Sequence, residues 1–78
     1  MEMEVYSNGE SFEVVKSSES DERYVEFDIL REGESIGSVS KYAEDHVFTA
    51  WDEDGQMVCM RKTLKGAVNA IIKRWEVR

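Results

Sequence analysis

The sequence predicts an α+β fold: a small antiparallel sheet of about five or six short strands packed on one C-terminal amphipathic helix. Three observations predict it. Up to Met60, apolar and polar residues alternate in short runs separated by Asn-Gly, Glu-Gly and Asp-Gly pairs. After Thr63 the apolar spacing switches to that of a helix. The length, 78 residues, gives one domain (1–78) with one small core.

The elements follow in order. Met3, Val5 and Tyr6 lead to Asn8-Gly9, and Phe12, Val14 and Val15 come after it. Asn-Gly between alternating apolar residues marks a two-residue hairpin turn, because both positions tolerate positive φ. Ser17-Ser18-Glu19-Ser20-Asp21-Glu22 is polar throughout and has the length of a surface loop. From Arg23 to Leu30, Val25, Phe27 and Ile29 share one strand face, with Glu26 and Asp28 on the other. Glu32-Gly33-Glu34 turns the chain into a strand over Ile36–Val39, where Gly37 marks a bulge or a close backbone approach. After a turn at Ala43-Glu44-Asp45, strands at His46–Trp51 and Met57–Met60 are joined through Asp52-Glu53-Asp54-Gly55. A turn at Asp54-Gly55 alone sets Trp51 opposite Val58, and a four-residue loop sets it opposite Gln56. The two registers exchange the buried face.

In the last segment Leu64, Ala67, Val68, Ile71, Ile72 and Trp75 form one helical stripe. Thr63 is placed to cap the first turn. Lys73, Arg74 and Arg78 complement the dipole at the far end. Gly66 inside the helix costs about 1 kcal/mol relative to Ala.

The composition excludes several classes. No apolar run reaches membrane-spanning length. Met1-Glu2-Met3-Glu4 is acidic, so no secretory or transit leader is expected. A single cysteine, Cys59, points to a reducing, cytoplasmic setting and to packing rather than thiol chemistry. One cysteine and one histidine do not make a four-ligand zinc site. Asp52-Glu53-Asp54-Gly55 looks like part of a calcium loop, but Gln56–Met60 downstream reads as strand. His46 has Ser38, Ser40, Glu44 and Asp45 near it in sequence, yet no nucleophile elbow, P-loop or dinucleotide fingerprint occurs. No enzyme activity, cofactor or metal is expected.

The charge is uneven. The chain carries −7 overall. Residues 1–54 hold sixteen acids and four bases, a net of −12, whereas residues 55–78 hold one acid and six bases, a net of +5. Trp51 precedes an exposed turn and either packs on the helix or anchors an interface. Tyr6, Tyr24 and Tyr42, with Leu30, are expected on the sheet face away from the helix, which a one-helix domain leaves open.

From Phe48 to Trp75 the order strand, Asp-Gly turn, strand, Thr-Leu, helix resembles the ending of many small sheet-plus-helix modules, among them the arm-type DNA-binding domains of phage integrases. Those modules present basic and aromatic residues on the sheet. Here the sheet carries Glu13, Glu26, Asp28 and Asp52, and a net of −12 repels a phosphate backbone, so no functional residue carries over.

The expectation is a small acidic, non-enzymatic protein-binding module. It would be an inhibitor or modulator of the kind phage and mobile elements encode, docking acidic turns on a basic protein surface in place of nucleic acid. The candidate interaction residues are Glu44, Asp45, Asp52, Glu53 and Asp54, with Trp51 as anchor. The alternatives are a nucleic-acid accessory domain using Lys62, Lys65, Lys73 and Arg74, and a structural homodimer through the open sheet face.

Overall fold

A computed structural model describes residues 2–77. Six strands, β1 (Glu2–Ser7), β2 (Glu10–Lys16), β3 (Tyr24–Arg31), β4 (Glu34–Tyr42), β5 (Phe48–Asp52) and β6 (Met57–Arg61), are followed by the helix α1 (Leu64–Glu76). The strands form one antiparallel sheet in the order β1-β2-β3-β4-β5-β6, a meander in which each strand pairs with its neighbour in sequence. The predicted α+β architecture is therefore the observed one.

The turns have the backbone that their residues favour. Asn8 and Gly9 sit at φ 50° and 79°, and Glu32 and Gly33 at φ 53° and 84°. Positive φ at both central positions gives the turn twist that matches paired strands. Ser7 then opposes Glu10, and Arg31 opposes Glu34.

Two irregularities decide which residues face the helix. Between Ile29 and Leu30 the partner register shifts, so Ile36 is the extra residue of a bulge on β4. A Cβ on Gly37 would lie 2.5 Å from the Trp51 carbonyl oxygen and 2.9 Å from Ile71 Cγ2. Gly37 is thus both beside a bulge and at a close approach. The second shift, between Ala50 and Trp51, makes Val58 the extra residue on β6.

The β5–β6 hairpin adopts neither register expected from sequence. The Asp52 N–H donates to the Gln56 carbonyl at 2.9 Å, and the Gly55 N–H donates to the Asp52 carbonyl at 3.0 Å. Three residues, Glu53 to Gly55, form the loop, and Gly55 takes φ 81°. Trp51 opposes Met57, while the bulge restores Ala50 opposite Cys59. β5 also starts at Phe48 rather than His46. The Tyr42 N–H donates to Asp45 Oδ2 at 3.2 Å and the Asp45 N–H to the Tyr42 carbonyl at 3.0 Å. This local closure carries the chain past His46 before pairing resumes.

The core lies between one sheet face and α1. Phe12, Val14, Phe27, Ile29, Ile36, Val39 and Ala50 meet Ala67, Val68, Ile71 and Ile72, all buried. Burying each of the valine, isoleucine and phenylalanine side chains contributes about 1.5–3 kcal/mol. Trp75 closes one end, edge-on to Phe12 with ring centroids 5.6 Å apart. The Thr63 hydroxyl accepts from the Gly66 N–H at 3.0 Å and caps α1 as expected. Lys73 and Arg74 lie in the last turn; Arg78 is outside the described residues.

Candidate functional site

Alternation and register fix the population of the sheet face that α1 leaves open. With Phe12, Val14, Phe27, Ile29, Val39 and Ala50 directed to the core, their neighbours point the other way. One cross-strand row runs Val15, Asp28, Ser38, Trp51, Met57. The next runs Glu26, Ser40, Thr49, Met60, and beyond it Tyr24 opposes Tyr42. On the other side lie Glu4, Glu13 and Leu30.

Among the described residues the charged side chains of this face are all acidic. Glu4 and Glu13 stand on β1 and β2, Glu26 and Asp28 on β3. None of them enters an ion pair among the described residues. Glu4 accepts from the Tyr6 and Ser11 hydroxyls at 3.3 and 3.1 Å. Glu26 accepts from the Tyr24 hydroxyl at 3.2 Å. Burial holds the Tyr24 phenol above its ordinary value, and the Glu26 charge adds to that against a hydrogen bond with Ser40.

Beside the acids is an aromatic and methionine half. Of the two placements open to Trp51, the structure gives the open face: Ala50 takes the core-facing position of β5, so Trp51 points away from the helix. Its indole N–H donates to Ser40 Oγ at 2.8 Å, so the ring leans across β4. The Tyr24 and Tyr42 rings meet at 4.9 Å. Met57 and Met60 are both more than half exposed. Tyr6 is exposed on this face too, but on the far edge strand, so the three tyrosines and Leu30 do not form one patch.

The expected acidic turns do not meet. A meander sends the β1–β2, β3–β4 and β5–β6 turns to one end of the sheet and the β2–β3 and β4–β5 loops to the other. Glu44 and Asp45 are therefore a strand's length, roughly 17 Å, from Asp52, Glu53 and Asp54. Asp52 is committed to its own loop. Its Oδ1 accepts the Asp54 and Gln56 N–H groups, both at 2.9 Å, and its Oδ2 lies 3.5 Å from Arg74. The Gln56 and Asp54 amides, with Arg74 behind them, hold its carboxyl below the usual range.

The end that carries three hairpin turns also carries the C-terminus of α1. Open grooves of about 420, 340 and 300 Å³ surround Trp75 there, with Glu10, Glu32, Glu34, Glu53, Asp54 and Glu76 along their walls. The chain supplies its own cation to this indole. The Arg31 guanidinium lies 5.6 Å from the Trp75 ring centroid and pairs with Glu10 and with Glu32, the latter at 2.9 Å. Those hydrogen bonds raise the Arg31 pKa further.

The expected basic patch is dispersed. Lys62 and Lys65 are at the start of α1, whereas Lys73 and Arg74 are at its end and Arg74 turns to Asp52. A helical wheel places Lys65 and Arg74 on opposite flanks of the buried stripe. Cys59 is half-buried against the core. Among the described residues no group of three or more His, Cys, Asp or Glu side chains is arranged to hold a metal, and no helix is long and apolar enough to cross a membrane.

The sequence puts Glu26, Asp28, Tyr24 and Tyr42 away from the helix and counts Glu13 and Asp52 with them as acids of the sheet. It does not show that Glu4 extends this face or that Asp52 leaves it, and it leaves Trp51 between the core and an interface. Small Ala50, between larger neighbours, was the available sign that β5 turns its tryptophan outward. No protein-family model, curated protein or solved structure matches this chain.

Proposed function

We propose that the protein is a non-enzymatic protein-binding module that lays the open face of its sheet on a basic surface of a protein partner. The supporting observation is the pairing, on one uncovered face, of four carboxylates with no cation among them in the described residues and a half-exposed aromatic group. Complementary charge steers encounter and sets orientation, and aromatic anchors supply affinity. The acidic turns then act as a rim, and their separation at the two ends of the sheet stops being an obstacle. A partner's lysines and arginines engaged this way are withheld from phosphates, which is how an inhibitor or modulator that takes the place of nucleic acid would act. The lone Cys59 suits a reducing, cytoplasmic setting for it.

Amide chemical shifts of the isotope-labelled protein, titrated at low salt with the peptide (Gly-Lys)₄, test the reading. Shifts are expected along β1–β4 and at the Trp51 indole N–H, and they should fade as salt screens the charges. Shifts confined to the Trp75 end or to α1, or none at all, defeat it.

A further inference from the structure

We infer that the cation this open face selects is arginine, seated between the Trp51 indole and the carboxylates of β3. This rests on the proposed docking face and goes on to name what the partner must present.

The geometry points there in three steps. Asp28, Ser38 and Trp51 share one cross-strand row, so the carboxylate and the indole stand two strands apart, roughly 10 Å between backbones. The residue between them is Ser38, so no long side chain of β4 separates the Asp28 carboxylate from the indole, whose ring leans over Ser40 one pleat along. Glu26 lies two residues along β3 and adds a second carboxylate. Trp51 has its N–H occupied by Ser40, which fixes the ring over β4 and leaves its π surface as the contact it offers.

A planar guanidinium suits this arrangement better than an ammonium. It stacks on an aromatic face and donates a two-pronged fork to carboxylates at its edge. The chain itself uses that combination at its other end, where the Arg31 guanidinium sits over Trp75 and pairs with Glu10 and Glu32. Around Trp51, Glu26 and Asp28 no cation of the chain plays that part among the described residues. A partner's arginine completes it.

The test compares (Gly-Arg)₄ with (Gly-Lys)₄ at one ionic strength, following the Trp51 indole N–H signal. The arginine peptide is expected to bind about two- to fivefold more tightly for each arginine so seated. Trp51→Ala should reduce the ratio of the two affinities to about one while weaker, salt-sensitive binding persists. Glu26→Gln with Asp28→Asn, both changes on the solvent side of β3, should lower the ratio too and does not depend on the tryptophan variant folding. Equal affinities for the two peptides overturn the arginine assignment and leave the docking face standing. Failure of both peptides to bind overturns the docking face and the assignment together. An arginine preference that survives both sets of substitutions shows that another site carries it, and also overturns the assignment.

Discussion

Gly37→Ala adds one methyl group, and the structure says where it would go. The new Cβ would lie 2.5 Å from the Trp51 carbonyl oxygen and 2.9 Å from Ile71 Cγ2, both inside contact distance. The isoleucine can shift, but the carbonyl is backbone, anchored by the β4–β5 pairing of Ser38 with Trp51. Overpacking a well-filled site costs about 1–3 kcal/mol, and an immovable neighbour places this one near the upper end, about 3 kcal/mol. For a domain of this size that lowers Tm by roughly 12–24 °C. Thermal unfolding followed by circular dichroism measures it. Trimming the movable neighbour in a Gly37→Ala/Ile71→Val double variant should return only part of the loss, because the carbonyl clash stays. Gly66→Ala is the control: its Cβ would lie 3.0 Å from Thr63 Oγ1, an exposed side-chain oxygen, and the helix gains about 1 kcal/mol of propensity, so the net change should be small. A Tm for Gly37→Ala equal to or above that of the parent would refute the close approach between β4, β5 and α1.

Other consequences are open to the same kinds of measurement. Thr63→Ala removes the cap on the Gly66 amide and should cost about 1 kcal/mol in urea unfolding. Trp75→Ala should cost about 3–5 kcal/mol, as a large side chain packed against the core does, and clearly more than Trp51→Ala on the open face; equal losses would contradict the placement of the two rings. The Asp52 carboxyl is held below its ordinary value by its loop amides and Arg74, so its contribution is full above the unfolded carboxylate range and is lost as pH falls through the folded pKa. The stability gap between the parent and Asp52→Asn should accordingly be widest near neutral pH and close under acid; a gap that widens in acid would reverse the assignment. Two copies of the open face repel each other, so light scattering in low salt should give the mass of one 9.0 kDa chain rather than a dimer.

Much of the fold was legible because its signals are local. Asn8-Gly9 and Glu32-Gly33 specify their turns through φ at two adjacent residues. The stripe from Leu64 to Trp75 specifies a helix with one buried side. The β5–β6 register was not legible, because it depends on a bulge at Val58 that no residue type announces, and on the Asp52 carboxylate accepting two loop amides. Strand order was the larger gap for the site. Only the meander shows that Glu44 and Asp52 belong to opposite ends, and that Glu13, Asp28 and Trp51 share a face. Counting charge along the chain joins residues that folding separates. The basic stretch from Arg61 to Arg74 is divided between the two ends of α1 and offers no single surface.

In the proposed docking, the placement of the carboxylates on the open face, not the net charge, attracts the partner's cations. Two variants with the same charge change separate these. One neutralises the open face through Glu4→Gln, Glu13→Gln, Glu26→Gln and Asp28→Asn. The other neutralises four exposed acids elsewhere, through Glu19→Gln, Glu22→Gln, Glu34→Gln and Glu44→Gln. Affinity for (Gly-Lys)₄ should fall about tenfold or more in the first, as expected from four ion pairs of modest strength, and far less in the second. Equal losses in the two variants would mean that bulk charge alone attracts the cation, and would contradict the assignment of the open face.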